Sequence, residues 1–281
     1  MDGVIIINKE KNMTSHDVVA KVRKILKTKK VGHAGTLDPL ATGVLPILVG
    51  KATKLSDYLM DHTKTYVATV KLGEKTTTGD LEGEVIEKAE IPGITQDKVQ
   101  TVLQSFLGES EQIPPAYSAI KVNGKKLYEY ARQGETVEVT PRKIIIYEIE
   151  LKSIEDNQIT FEVQCSKGTY IRVLCEDIAV RLGTVGTMTA LERTAVDNFK
   201  IKDATMLQDN LEQHIISIEK IFDDKQSIYL KDQELKALKN GVKLEMDLVD
   251  GYYKIYDKSS TFIGIAISVN GLLKRELLLQ D

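Results

Sequence analysis

The chain has 281 residues, of which 42% are hydrophobic and 28% charged, enough to bury a sizeable core as one large domain or two smaller ones. With 6 Pro and 19 Gly it is neither collagen-like nor low in complexity, and its apolar runs are too short for a bilayer span or a secretory signal. The net charge of −3 hides a gradient: residues 1–55 hold ten Lys/Arg against four Asp/Glu, net +6, while residues 203–250 hold six Lys against eleven Asp/Glu, net −5.

Val4–Asn8 is a short apolar run and predicts a buried strand. Thr14-Ser-His-Asp17 has the form of a capping box, and Val18, Val22 and Ile25 then repeat at helical spacing up to the basic stretch Lys27–Lys30. Gly32–Pro46, rich in Gly, Pro and Thr, predicts an irregular loop, and Tyr66, Ala68, Val70 and Leu72 alternate as in a strand. Thr95 is the expected cap of a helix that carries Val99, Val102, Leu103 and Phe106 and runs to Gly108. Residues 112–141, polar and rich in Tyr and Lys, read as an inserted excursion. Lys143–Lys152 and Ile159–Cys165 read as a hairpin about Glu155-Asp-Asn157, followed by a helix that Gly183 closes. Beyond Asp224 the pattern changes to short strands at Tyr252–Tyr256, Phe262–Ser268 and Leu272–Leu279, so a division into 1–224 and 225–281 is expected.

Several chemistries are disfavoured. Gly50-Lys51 suggests a phosphate-binding loop, but Leu45 stands where its first Gly belongs and Ala52 where its hydroxyl belongs. His16, His33, His62, His214, Cys165 and Cys175 are scattered, without metal-ligand spacing. Two cysteines cannot staple such a chain, and a reduced, cytoplasmic protein is expected. The basic N-terminal region is either a solvated helix face or a local polyanion-binding surface. Asp38 precedes a proline and is flanked by Leu37 and Leu40; it is either a turn residue or a carboxylate shielded for chemistry. Arg172 falls in the first turn of its helix, where the dipole disfavours a cation unless an anion pairs with it.

Taken together, Gly32–Pro46, Lys64-Thr-Tyr66, Thr76–Asp80, Ile113–Lys121 and Cys165–Arg172 resemble the TruB family of tRNA pseudouridine synthases, and the likeness runs in order over residues 3–200. The resemblance implies an α+β pseudouridine synthase fold with a mixed, largely antiparallel central sheet, a thumb-like insertion at 112–141 and a small β-rich, PUA-like C-terminal domain. It implies a uridine of the tRNA T arm as substrate, flipped out of its stack and isomerised without cofactor or metal, by a stand-alone monomer with no obligatory protein partner and no membrane association. Asp38 takes the place of the family's essential carboxylate, Arg172 of the Arg that pairs with it, and Tyr66 of the Tyr that stacks on the target base and helps to remove its C5 proton. His33 matches the residue that fills the space left by flipped nucleotides; Tyr170 and Leu191 match contacts to the uracil, and Lys9, retained from the family's early Lys-led segment, is counted with the substrate-binding residues. The basic helix Lys21–Lys30 and the insertion's Lys121, Lys125, Lys126 and Arg132 are the expected phosphate binders.

Two departures stand out. The family's Lys-Pro-x-Gly-x-[ST]-S segment reads Lys9-Glu-Lys-Asn-Met-Thr-Ser15, without its Pro and Gly, and Glu192-Arg193 follows Leu191 where many members carry a second Arg. Two rival readings share the likeness: a non-catalytic RNA-binding factor, which has no use for a shielded carboxylate, and a subunit of a guide-RNA particle, which the short C-terminal module disfavours.

Overall fold

Val4-Ile-Ile-Ile7 is an unbroken run of β-branched residues, and it forms β1 (Gly3–Lys9), buried on both faces. The computed structural model describes residues 1–208 and 210–279. Thr14 caps α1 (Ser15–Ile25) as expected: its hydroxyl accepts the Asp17 N–H, and the Asp17 carboxylate accepts the Thr14 N–H. The Gly/Pro-rich stretch is more regular than its composition predicts. β2 (Val31–His33) and β3 (Thr42–Val49) occupy its ends, and only residues 34–41 remain a loop. Cross-strand pairing of both ends outweighs the local turn preference.

After α2 (Ser56–Met60) comes β4 (Lys64–Leu72), whose side chains alternate strictly between buried and half-buried. A small hairpin, β5 (Glu74–Thr76) with β6 (Val85–Lys88), leads to α3 (Gln96–Gln104). This helix stops short of the expected Gly108, because β7 (Gly108–Gln112) pairs along the next long strand. Residues 113–141 stand outside the main sheet and carry only β8 (Lys121–Val122), β9 (Lys125–Lys126) and α4 (Leu127–Arg132). β10 (Arg142–Glu155) and β11 (Gln158–Cys165) form the predicted hairpin, with Asp156 in the left-handed region at its tip. α5 (Ile171–Leu182) ends on Gly183 at φ 93°. β12 (Gly186–Val196), β13 (Phe199–Lys200) and β14 (Ile216–Ser217) complete the sheet.

The sheet runs β14-β1-β3-β12-β4-β11-β10-β7, with β2 beside β3 and β13 beside β12. Each pairing is antiparallel except β3–β12, so the expected mixed, largely antiparallel α+β fold is the observed one. α1, α3 and α5 contribute Val18, Val22, Val99, Leu103, Leu174 and Ile178 to the same core as Ala68, Val70, Phe161 and Val163 of the sheet.

Past α6 (Ile218–Ile221) a second, five-stranded sheet begins, ordered β15 (Ser227–Tyr229), β17 (Gly251–Tyr256), β18 (Phe262–Val269), β19 (Leu272–Leu278) and β16 (Leu244–Glu245). It also carries α7 (Asp232–Lys239), which sequence periodicity did not reveal, since Leu238 alone of its residues is fully buried. Ile228, Leu238, Ile255 and Leu273 build a separate small core, while Ile265 and Leu277 pack into a cluster with Leu55, Leu59 and Phe222. No described helix is long and apolar enough to cross a membrane.

Candidate active site

The first-turn Arg172 has the anion that its position demands. Its Nε lies 3.2 Å from Asp38 Oδ2 and 3.7 Å from Asp80 Oδ2. The other two guanidinium nitrogens donate to backbone carbonyls, Thr78 and Tyr117, each at 2.9 Å. Arg172 and Asp80 are buried, whereas the Asp38 side chain remains 39% exposed at the cleft surface. Asp80 is itself fixed: its Oδ1 accepts the Thr78 hydroxyl at 2.5 Å and the Glu82 N–H at 3.1 Å. The guanidinium is thus held from four sides, and the Asp38 carboxylate is the charged partner that faces open space.

That space is a cleft of about 830 Å³, walled by Asp38, Tyr66, Tyr170, Arg172, Leu191 and Arg193, within the size range of small-molecule sites. Tyr66 stands on β4 directly opposite Arg193 on β12. Burial pushes the Tyr66 hydroxyl above the usual phenol range, and the Arg193 guanidinium opposes that rise. Tyr170 ends the loop before α5, where Gln112 grips its backbone from both sides: Gln112 Oε1 accepts the Tyr170 N–H at 2.7 Å and Nε2 donates to its carbonyl at 3.1 Å.

The Asp38 loop is anchored along its length. Ser15 Oγ accepts the Leu37 N–H at 2.8 Å and donates to the Leu37 carbonyl at 3.1 Å, and the Asn12 N–H donates to Pro39 O at 2.9 Å. Lys9 was expected among the substrate-binding residues, but it lies fully buried and points inward. Its Nζ donates to the carbonyls of Glu10, Met13 and Pro39, and burial lowers the ammonium pKa to about 8. The missing family Gly leaves no distortion, because Asn12 takes its place at φ 66°, a left-handed conformation that Asn tolerates. His33, at the end of β2, is half-buried outside the cleft wall; its Nδ1 has no hydrogen-bond partner, and burial lowers its pKa.

Exposed basic groups line the mouth, Arg142, Lys143 and Lys167, while Lys64 beside them is buried with its Nζ on the carbonyls of Met60 and His62. Lys143 leans on Glu109 at 3.1 Å and Lys167 pairs with Asp61. In the insertion, Lys125 lies 4.2 Å over the Tyr130 ring, and Lys126 and Arg132 lie 5.3 and 5.4 Å from Tyr128, while Lys121 is exposed. Lys21, Arg23, Lys24, Lys27, Lys29 and Lys30 are exposed on or just after α1.

Sequence reasoning assigned no role to Asp80, Ser15, Gln112 or Arg193. Arg193 carried a usable signal: it lies two residues after Leu191 on an inner strand, hence on the same face, and a cation at a core-facing position marks a site.

Residues 23–171 match the N-terminal domain of the TruB family pseudouridylate synthases, and residues 172–238 match the tRNA pseudouridylate synthase B C-terminal domain. A tRNA pseudouridine synthase B of Clostridium perfringens is 48% identical over 277 residues, 94% of each chain. That of Francisella philomiragia subsp. philomiragia is 44% identical over 292 aligned positions, covering 100% of this chain and 96% of its own. Among solved structures, a chain of a Cbf5-Nop10-Gar1 complex superposes with a TM-score of 0.72 at 27% identity, over 95% of this chain and 78% of that one.

Proposed function

The chain belongs to the TruB family of tRNA pseudouridine synthases, and from that premise we propose how its cleft isomerises a uridine of the tRNA T loop. The observation that carries the reading is the Asp38–Arg172 contact at 3.2 Å, opening onto a cleft walled by Tyr66, Tyr170 and Leu191. The target nucleotide leaves its stack and enters this cleft at a cost of a few kcal/mol, offset by stacking on the Tyr66 ring and by contact with Tyr170 and Leu191. His33 takes up the space vacated in the loop.

Asp38 is the nucleophile that bonds covalently to the flipped nucleotide, a role for which a carboxylate serves both as attacking group and as leaving group. Arg172 holds that carboxylate toward the open cleft. The C1′–N1 bond breaks, the uracil turns, C5 bonds to C1′, and the bond to Asp38 breaks with its electron pair returning to the carboxylate. The proton on C5 is then removed, with Tyr66 as its acceptor. No step calls for a metal or cofactor.

The RNA is held chiefly by its shape and its phosphates: the exposed lysines of α1, Lys121 of the thumb-like insertion and the basic mouth supply the cationic surface. The catalytic unit is residues 1–224, and 225–281 is a PUA-like RNA-binding module. The enzyme works as a monomer in the cytoplasm; the two cysteines, Cys165 and Cys175, are free and buried, with thiol pKa values raised by burial, as suits inert core groups in a reducing compartment.

The test is release of tritium from C5-labelled uridine in unmodified tRNA. Asp38→Asn should lower the rate at least about 10³-fold while tRNA binding stays within a few fold. Retained turnover in that variant removes Asp38 from the reaction.

A further inference from the structure

β7 is Gly108-Glu-Ser-Glu-Gln112, and Gln112, 5% exposed, is its one buried residue. A primary amide so enclosed is costly unless its oxygen and its nitrogen are both bonded. The sheet fixes the backbone beneath it: Gln112 pairs with Arg142 across β7 and β10, so these two residues are the posts between which the insertion hangs. The side chain then reaches a part of the chain 58 residues away. There Oε1 accepts the Tyr170 N–H at 2.7 Å and Nε2 donates to the Tyr170 carbonyl at 3.1 Å. A little further into the insertion, the Tyr117 carbonyl accepts Arg172 Nη2 at 2.9 Å. The root of the insertion is thus tied to the start of α5 at two points.

Tyr170 is the residue that needs such a tie. It precedes the first turn of α5 at φ −95° and ψ 108°, and its side chain makes no capping bond. The loop before it is pinned at Ser166, whose N–H donates to Ile145 O and whose Oγ accepts the Ile145 N–H, each at 2.9 Å. It then runs through the exposed Lys167 and Gly168, the latter at φ 81°. Among the described residues the hydrogen bonds of Tyr170 are all made by its backbone. Where its ring stands in the cleft wall therefore follows from how that backbone is held. Gln112 does the holding from outside, since it does not itself line the cleft.

We propose that Gln112 is a positioning residue for the isomerisation: from the root of the insertion it clamps the Tyr170 backbone and so keeps the Tyr170 ring in the wall that receives the flipped uracil. The inference rests on the contact of Tyr170 with the uracil given above. An amide suits the task because it carries one acceptor and one donor, the complement of a residue's N–H and C=O, whereas a carboxylate offers two acceptors and a hydrocarbon neither. Two bonds fix the orientation of the backbone as well as its distance. A shift of about 1 Å in a group that orients the substrate can slow a reaction about 10²-fold.

Single-turnover tritium release is measured over a range of enzyme concentrations, which separates the saturated rate from the affinity for tRNA. The chains compared are the wild type, Gln112→Met, Gln112→Glu, Tyr170→Ala and the two double variants. Gln112→Met keeps the bulk and removes both bonds. It should lower the saturated rate about 10–10²-fold while tRNA affinity stays within about twofold. Gln112→Glu keeps the shape and the acceptor for the Tyr170 N–H but turns a second oxygen on the carbonyl. It should lower the same rate about tenfold, and decides the matter if Gln112→Met does not fold. In the Tyr170→Ala background neither substitution should cost anything further, because the ring whose place is at stake is gone. A residue that merely supported the fold or Arg172 would cost the same in both backgrounds. A full rate in Tyr170→Ala overturns the uracil contact of Tyr170 and this inference with it. A slowed Tyr170→Ala beside full rates in the Gln112 variants, a loss confined to tRNA affinity, or equal losses in both backgrounds overturns the role of Gln112 alone.

Discussion

The two sheets bury different kinds of atoms. Around the cleft of the first sheet Lys9, Lys64, Asp80, Arg172 and Arg193 are all buried, tied mostly to backbone carbonyls. Among the described residues of the second sheet, Lys254 and Ser268 are the buried polar side chains, and Tyr253, Ile255, Ile263 and Leu273 make its interior. Both sheets are stable arrangements of strands, so charge burial is not what folding requires. It is concentrated where a carboxylate, a phenol and a guanidinium must keep fixed places, and nearly absent where packing alone suffices.

Substitutions can break this contrast. The largest effect outside Asp38 is expected at Arg172. Arg172→Ala leaves Asp38 and Asp80 without their cation and frees the carbonyls of Thr78 and Tyr117. Removing the fixed charge that holds the Asp38 carboxylate predicts a rate fall of about 10²–10³-fold, and Arg172→Lys should recover little of it. A near-normal rate of tritium release in Arg172→Ala would erase the distinction between the regions.

Phe222→Ala probes the other side. This ring is fully buried, stacks on Tyr58 with centroids 4.5 Å apart and packs against Tyr252 of the second sheet. Its loss should cost about 3–5 kcal/mol in urea unfolding while the rate per folded molecule stays the same. A specific loss of activity would show that the second sheet reaches into the chemistry.

A third measurement uses pH. Burial lowers the Lys64 ammonium from 10.5 to about 8, so between those values the unfolded chain binds more protons than the folded one. Stability from this group therefore rises with pH across the interval. Lys64→Met should remove that rise, leaving the similar but separate contribution of Lys9, in urea titrations from pH 7 to 10.

The smallest effect is expected at Asn12, where Gly should be nearly neutral and Ala should cost about 1 kcal/mol in thermal unfolding, because only the backbone conformation at φ 66° is at stake.

Local signals were legible wherever the structure is local. The run Val4–Ile7, the alternation from Tyr66 to Leu72, the Thr14 cap and the Gly183 stop all produced the elements expected of them. The helix position of Arg172 left an anion partner and a solvated side chain equally open, and the resemblance pointed to Asp38, which the structure places 3.2 Å from its Nε. What escaped notice was joined across long stretches of chain: Arg193 meets Val44 and Gly35 from 149 and 158 residues away, and Gln112 meets Tyr170 from 58. Local pattern also misjudged the two strands that flank the Asp38 loop: β3 is held by β1 and β12, of which β12 is distant in sequence, and β2 pairs back on β3 across the loop itself.

The single parallel contact of the first sheet has a consequence for the reacting groups. β3 and β12 touch through two residue pairs, Glu192 with Thr42 and Arg193 with Gly43, and a Cβ at Gly43 would stand 2.3 Å from the Arg193 carbonyl. Asp38 hangs from the strands on one side of that seam, while Tyr66, Arg172 and Leu191 belong to the other. Asp38 and the residues that face it across the cleft are thus aligned by one missing methyl group, and Gly43→Ala would pry the halves apart, misaligning the cleft before unravelling either half.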